Sequence, residues 1–325
     1  MDTQDDIPFH IVSPLKDSLA LSKLAGTQVL MKLENIQPVG SFKIRGIGHF
    51  CQKSAKAGCK RFVCSSGGNA GLAASYACSK LGTPATIVVP ETTPAKIVHK
   101  LQELGAEVIV NGKVWDDADT YARHLTEAPG SVYISPFNHP LLWEGHSSLV
   151  FELKSSLGNQ KPGALVVAVG GGGLLAGLVE GLVKVGWSDV PIIAMETMGA
   201  HCLNAALQAG KPVTLPDITS IAKCLGAKTV CDRALEYARK YNVISVTVDD
   251  REALQAVEMF LEDELMLVEA SCGAALAAVY SGHIQRLQKE GKLGPLVGPL
   301  IMIVCGGSAI SLSELQNFKS QLGML

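Results

Sequence analysis

The sequence has little of what marks nucleic-acid-binding, membrane-spanning and secreted proteins. Its formal net charge is only -2, so no basic excess favours a nucleic acid as partner. No long uninterrupted apolar run suggests a membrane span, and the acidic, polar start at residues 1–6 lacks the apolar stretch of a secretory signal. We therefore expect a cytoplasmic protein that binds a small molecule and no membrane.

The nine cysteines are scattered and contain no Cys-x-x-Cys pair. This pattern argues against both a disulfide framework and a zinc site. We expect most of these cysteines to be small core residues.

Length and composition indicate a two-lobed α/β protein. A chain of 325 residues exceeds the usual size of one hydrophobic core. Hydrophobic residues make up 47% of it, and 33 residues are glycine, as is typical of globular α/β proteins. Such a chain is long enough to enclose a deep cleft.

Short strands alternate with helices along most of the chain, which predicts parallel or mostly parallel sheets. We predict an α/β fold of two lobes, each a mostly parallel sheet flanked by helices. A small domain at residues 37–140 is inserted into a large domain made of residues 1–36 and 141–325. One long helix is predicted at residues 274–289.

Lys43 is the predicted chemical centre. It follows a turn at residues 38–40 and lies between an aromatic residue, Phe42, and a second cation, Arg45. A lysine that acts as a nucleophile must spend time as the neutral amine, and partial burial beside another cation lowers its pKa. The alternative is a solvated surface charge, because most lysines are exposed.

Two glycine-rich turns that precede helices predict anion sites. Residues 65–68 stand between a strand at 61–64 and a helix that begins at Asn69, so backbone N–H groups and the helix dipole converge. A structural turn is the alternative there. The four glycines at 170–173 precede another helix and are the better phosphate site. A dinucleotide site, with Glu196 as its acidic residue, is the weaker interpretation, because no G-x-G-x-x-G follows the first strand.

Three stretches carry a resemblance to a known family: GSFKIRGIGHF at residues 40–50, AVGGGGLL at 168–175 and CGAALAAVYS at 272–281. With the rest of the chain they resemble the fold type II pyridoxal-phosphate lyases, and more closely the animal L-serine dehydratase/L-threonine deaminase (serine dehydratase-like) family. The resemblance implies a β-elimination that turns L-serine into pyruvate and ammonia, and L-threonine into 2-oxobutyrate and ammonia. It further implies amino-acid catabolism linked to gluconeogenesis, and a homodimer.

The resemblance also implies how pyridoxal 5'-phosphate is held. Lys43 would form a Schiff base with the cofactor and later remove the α-proton of the substrate. The implied phosphate contacts are Gly170, Gly171, Gly172, Gly173 and Leu174. The implied ring contacts are Phe42 and Ala222 at its faces, Asn69 at its hydroxyl and Cys305 at its nitrogen. The alternative interpretation of Cys305 is a core cysteine that has no contact with the cofactor.

A substrate site and a cation site follow from the same resemblance. The implied contacts of the substrate carboxylate are Ser66, Gly67, Asn69 and Ala70. The implied ligands of a potassium ion are Glu196 and the carbonyl oxygens of Gly170, Ala200, Leu225 and Ala227. For Glu196, a solvated carboxylate at a strand end is the alternative.

Two other functions stay open beside the lyase. One is a β-replacing synthase that uses the same cofactor. The other is a paralogue of low or no activity that only binds the cofactor, because Gly67 stands where some close relatives have alanine. Racemisation is disfavoured, since related racemases carry a hydroxyl base at the position of Gly67. The chain ends too early for the regulatory domain of biosynthetic threonine deaminases, which favours a catabolic role.

Overall fold

The structure, a computed structural model, describes residues 7–325 and divides them into two compact units. The first unit consists of residues 7–11 and 37–146, and the second of residues 12–36 and 147–325. Within residues 7–325, no helix is both long enough and apolar enough to cross a bilayer.

The secondary structure of residues 7–325 comprises ten strands and thirteen α-helices. The strands are β1 (Leu15–Asp17), β2 (Val29–Leu33), β3 (Arg61–Cys64), β4 (Ala85–Val89), β5 (Glu107–Val110), β6 (Ser131–Tyr133), β7 (Ala164–Ala168), β8 (Ile192–Thr197), β9 (Val243–Val248) and β10 (Leu300–Val304). The helices are α1 (Leu19–Ala25), α2 (Lys43–Lys56), α3 (Asn69–Leu81), α4 (Ala95–Glu103), α5 (Trp115–Leu125), α6 (Pro140–Leu157), α7 (Gly173–Lys184), α8 (Cys202–Ala209), α9 (Asp232–Lys240), α10 (Asp250–Glu264), α11 (Ala270–Tyr280), α12 (His283–Lys289) and α13 (Leu312–Gln321).

The first unit contains a four-stranded sheet in the order β5-β4-β3-β6, and all its strands are parallel. Every residue of β4 is buried, as expected for a parallel strand covered on both faces. Because the strands are parallel, the turn after β3 and the loop after β6 lie at the same edge of the sheet.

The second unit contains a six-stranded sheet in the order β1-β2-β10-β7-β8-β9. Only β1 is antiparallel, to its neighbour β2. β10 pairs in parallel with β7, so the glycine run after β7 and Cys305 after β10 lie at the same edge of this sheet. The fold class predicted from the sequence is therefore the one observed.

The division of the chain differs from the predicted one at two places. The boundary falls after residue 146 rather than after 140, and it lies inside α6, which the sequence analysis did not predict. Residues 7–11 belong to the first unit, not to the predicted large domain. They are held there by Gln37, whose amide exchanges hydrogen bonds of 3.0 and 2.9 Å with the backbone of Ile11. The prediction also placed residues 1–6 in the large domain, and these lie outside the described residues.

The predicted helix at residues 274–289 was wrong, because the segment forms two helices. α11 begins at Ala270 and ends at Tyr280, and α12 begins at His283. Gly282 between them has φ +68°, a left-handed conformation that ends a helix.

Candidate active site

Lys43 is the first residue of α2 and follows a tight turn. Gly40 has φ +74°, and its N–H donates to the carbonyl oxygen of Gln37 over 2.7 Å. The Nζ atom of Lys43 donates to the main-chain oxygen of Pro136, 2.5 Å away, and lies 5.2 Å from the centre of the Phe42 ring. The amine is therefore partly buried and held in place. The alternative interpretation of Lys43, a solvated surface charge, does not fit this environment.

His146 is a close neighbour of this lysine that the sequence analysis left without a role. Its ring centre lies 5.2 Å from that of Phe42, and its side chain is buried. Burial lowers the pKa of the imidazole well below its usual value, and the charges of Lys43 and Arg45 lower it further. His146 is therefore neutral near pH 7. A Cβ atom at Gly46 would lie 2.6 Å from the imidazole, so the ring packs on the backbone of α2, a contact that the sequence did not signal.

Two buried polar atoms close to Lys43 have no hydrogen-bond partner among residues 7–325. They are Oγ of Ser41, a residue only 1% exposed, and Nδ1 of His146. A buried polar atom without a partner costs about 1–3 kcal/mol. Their presence beside Lys43 fits a polar ligand at this place.

The turn after β3 has the form of an anion site. The hydroxyl of Ser66 accepts from the N–H of Gly68 over 3.2 Å. In the described part of the chain, nothing accepts from the N–H group of Gly67, in the turn, or from that of Ala70, the second residue of α3. These two N–H groups and the helix dipole are available to an anion such as a carboxylate. The turn and the loop that holds Lys43 share one edge of the first unit's sheet.

The glycine run after β7 forms a larger cradle. None of the five consecutive N–H groups of residues 170–174 has an acceptor among residues 7–325. A Cβ atom on Gly170 would lie 2.9 Å from the Cα of Leu225. Gly172 has φ +88°, and a Cβ atom there would lie 2.4 Å from the Cβ of Ala234. Only glycine fits at these two positions, and the backbone N–H groups at the start of α7 suit a phosphate.

Ala222 and Cys305 belong to the second unit as well. Ala222 is buried, and its carbonyl oxygen accepts from the N–H of Leu225, the residue packed on Gly170. The Cys305 thiol is buried at the edge where the glycine run lies. A hydrogen bond with Cys272 raises the pKa of Cys305 well above its usual value, and burial raises it further. Cys305 is therefore a neutral thiol.

Glu196 is completely buried at the end of β8, so it is not the solvated carboxylate of the alternative interpretation. Its Oε1 accepts from the N–H of Leu203 over 2.9 Å, and its Oε2 accepts from the N–H of Asn204 over 2.8 Å. Burial raises the pKa of Glu196 to about 8 and outweighs these two hydrogen bonds, which lower it.

Two of the four predicted carbonyl ligands of the cation already have partners in the chain. The carbonyl oxygen of Gly170 accepts from the thiol of Cys202 over 3.4 Å, and that of Leu225 accepts from the N–H of Ala227 over 2.8 Å. Among the described residues, no group of three or more histidine, cysteine, aspartate or glutamate side chains is arranged to hold a metal ion. A cation here would therefore depend on Glu196 and carbonyl oxygens.

These features define a class of enzyme. Pyridoxal phosphate needs an amine for its aldehyde and a set of N–H donors for its phosphate. The first unit offers Lys43, and the second offers the cradle of residues 170–174. The family model described as "Pyridoxal-phosphate dependent enzyme" matches residues 8–306, and the chain belongs to this family.

Within this family, the chain is similar to proteins named for one type of reaction. The chain is 61% identical over 316 residues to "Serine dehydratase-like" of Mus musculus, covering 97% of this chain and 96% of that protein. It is 57% identical over 318 residues to "L-serine dehydratase/L-threonine deaminase" of Homo sapiens, covering 98% and 97%. The crystal structure of a fungal L-serine ammonia-lyase from Rhizomucor miehei matches with a TM-score of 0.91 at 39% identity, covering 96% of this chain and 99% of that one. The family resemblance inferred from the motifs is confirmed.

Proposed function

We propose that the chain is a pyridoxal-phosphate-dependent L-serine/L-threonine ammonia-lyase. It converts L-serine to pyruvate and ammonia, and L-threonine to 2-oxobutyrate and ammonia, by β-elimination. The observation that carries the proposal is the fixed, partly buried amine of Lys43, in a chain that is similar over nearly its whole length to proteins named for this activity.

When bound, the cofactor supplies an electron sink for the bond that breaks at the α-carbon of the substrate. Lys43 would hold the cofactor through its Nζ atom, and the same atom, when free, would accept the α-proton of the substrate. The N–H groups of residues 170–174 hold the phosphate. Phe42 and Ala222 would flank the cofactor ring, Asn69 would bind its hydroxyl, and the neutral thiol of Cys305 would face its nitrogen.

The substrate carboxylate binds at the turn after β3. Its partners are the hydroxyl of Ser66 and the N–H groups of Gly67, Asn69 and Ala70. Support comes from the N–H groups of Gly67 and Ala70, which nothing in the described chain occupies. Gly67 brings no hydroxyl to this place, so the chain lacks a second base there for racemisation.

Potassium is the proposed cation, bound by Glu196 and by the carbonyl oxygens of Gly170, Ala200, Leu225 and Ala227. The raised pKa of Glu196 supports a cation, because a nearby positive charge would stabilise its buried carboxylate. We further propose a cytoplasmic homodimer that acts in amino-acid catabolism and supports gluconeogenesis.

The test is oxoacid formation by the cofactor-loaded protein. L-serine should give pyruvate and L-threonine 2-oxobutyrate, each with one ammonia. Lys43→Ala should abolish both reactions, whereas Lys53→Ala, an exposed lysine of the same helix, should leave them unchanged. No oxoacid from loaded wild-type protein would indicate the non-catalytic paralogue. Product formation only with an added nucleophile would indicate the β-replacing synthase.

A further inference from the structure

Three side chains of the first unit bring their oxygen atoms together in a triangle directly before the proposed anion-binding turn. The hydroxyl of Ser65 donates to Oδ1 of Asp119 over 2.6 Å, and that of Tyr133 donates to the same oxygen over 2.5 Å. The two hydroxyl oxygens lie 2.9 Å apart. Ser65, Asp119 and Tyr133 come from three different elements of the sequence, and Ser65 is buried.

Asp119 carries a negative charge in this triangle. Burial acts to raise the pKa of its carboxyl, but hydrogen bonds from Ser65, Tyr133 and Arg123 outweigh burial and leave the pKa below its usual value. Nε of Arg123 donates to the second oxygen, Oδ2, over 2.8 Å, and the guanidinium lies 4.2 Å above the Tyr133 ring. Since each hydroxyl has one proton and gives it to Asp119, the shared anion is what holds the two oxygens together.

The turn that follows Ser65 has few other restraints. Gly67 and Gly68 have no side chain, and the N–H of Gly67 has no acceptor in the described chain. On the side of α3, the close contact between Gly71 and the carbonyl oxygen of Ser66 restricts the position of the turn. Ser65 is therefore the anchor on the near side, and it stands one residue before the proposed carboxylate ligand Ser66.

We propose that Asp119 is a positioning residue that sets the affinity for the substrate carboxylate. Acting through Ser65 and together with Tyr133, it holds the turn of residues 66–70 in the conformation that presents its hydroxyl and N–H groups to the carboxylate. The inference rests on the proposed function, because it concerns the proposed carboxylate site. Its effect falls on substrate affinity rather than on attachment of the cofactor.

The test uses cofactor-loaded protein and three variants. Asp119→Ala removes the anion, and Asp119→Asn keeps the shape and one acceptor oxygen. Arg123→Gln removes the exposed guanidinium, which donates to Oδ2 and lies over the Tyr133 ring, but leaves the bonds of Ser65 and Tyr133 to Oδ1. The measured quantities are KM and kcat for L-serine, cofactor affinity, and the dissociation constant of L-alanine. L-alanine has a carboxylate but no β-leaving group, so it can bind without undergoing elimination. Its binding is measured from the change in cofactor absorption.

For Asp119→Ala we expect KM and the L-alanine dissociation constant to rise about tenfold, the loss that one charge-assisted hydrogen bond accounts for. We expect kcat and cofactor affinity to change less than about threefold. Asp119→Asn should give a smaller rise, and Arg123→Gln the smallest, because the bonds of Ser65 and Tyr133 to Oδ1 remain. If Asp119→Ala fails to fold, Tyr133→Phe, which removes one hydroxyl, should still raise both constants.

Different results overturn different claims. Unchanged L-alanine and L-serine constants in Asp119→Ala or Tyr133→Phe, with an active wild type, would overturn this inference alone. So would a loss of cofactor affinity equal to the loss of L-alanine affinity, because that result indicates general disruption of the unit. A loaded wild type that neither binds L-alanine nor converts L-serine would overturn the proposed function, and this inference with it.

Discussion

A Cβ atom on Gly71 would lie 1.7 Å from the carbonyl oxygen of Ser66. Gly71 is the third residue of α3, so the first turn of the helix lies directly against the turn that precedes it. This contact allows the N–H groups at the helix start to approach the anion site closely. Any side chain at position 71 would push the helix and the turn apart.

Gly71→Ala should therefore destabilise the protein by about 1–3 kcal/mol, the usual cost of overpacking. It should also raise KM for L-serine, because the N–H groups of the turn would move. Urea unfolding and steady-state kinetics would measure these effects. Gly294→Ala is the control, since a Cβ atom there meets nothing within 4 Å. Equal behaviour of the two variants would contradict the role given to Gly71.

Gly172→Ala should weaken cofactor binding. The left-handed backbone at φ +88° and the 2.4 Å approach of Ala234 both exclude a Cβ atom from the cradle. Gly186→Ala is the matched control, because Gly186 also has a left-handed φ, +75°, but nothing within 4 Å. Both variants should lose about 1–2 kcal/mol of stability to backbone strain. Only Gly172→Ala should show a lower affinity for pyridoxal phosphate in an absorption titration, and equal affinities would argue against the cradle.

Leu265→Gly should stabilise the protein. Within residues 7–325, Leu265 is the only residue other than glycine with a positive φ, +58°, and it is 84% exposed at the end of α10. Removing the Cβ relieves a strain of about 1–2 kcal/mol, of which greater freedom of the unfolded chain cancels about 0.5–1 kcal/mol. Leu19→Gly, also exposed but helical, should instead destabilise. Urea midpoints would measure both, and a lower midpoint for Leu265→Gly would refute the prediction.

Stability should fall with rising pH because of Glu196. Its pKa in the folded protein, about 8, lies above the ordinary value of 4.5, so the folded state binds this proton more tightly than the unfolded chain does. The stabilisation that this bound proton contributes is complete below pH 4.5 and is lost as pH rises toward about 8. Wild type should therefore lose stability relative to Glu196→Gln over this range. Glu91→Gln, at an exposed site, should follow wild type, and parallel curves for all three proteins would contradict the assignment.

Potassium should counteract the loss of stability that the Glu196 carboxylate causes at high pH. A cation beside Glu196 favours the carboxylate, so potassium should stabilise the protein more at about pH 8 than at about pH 5. A large organic cation at equal ionic strength is the control for screening. Glu196→Gln should abolish the difference. If potassium has the same effect at both pH values, the cation does not bind at Glu196.

Local patterns in the sequence were enough to predict the elements that carry the candidate site. The glycine run follows a buried strand, and a helix begins at Asn69, so chain neighbours alone define both candidate anion-binding turns. His146 and Asp119 gave no such signal, because their partners are distant in sequence. Asp119 lies 54 positions after Ser65, and only the pairing of β6 beside β3 brings Tyr133 close to both. The continuity of α6 and the break at Gly282 likewise depend on backbone conformation that the apolar pattern did not show.

The most direct test of the account is reduction of the loaded protein with borohydride, followed by peptide mapping. The reaction fixes the cofactor to whichever amine holds it. We expect one pyridoxyl group per chain, on Lys43, with loss of activity in proportion to labelling. A pyridoxyl group on another lysine, or none in folded protein that still forms pyruvate from L-serine, would contradict the central claim.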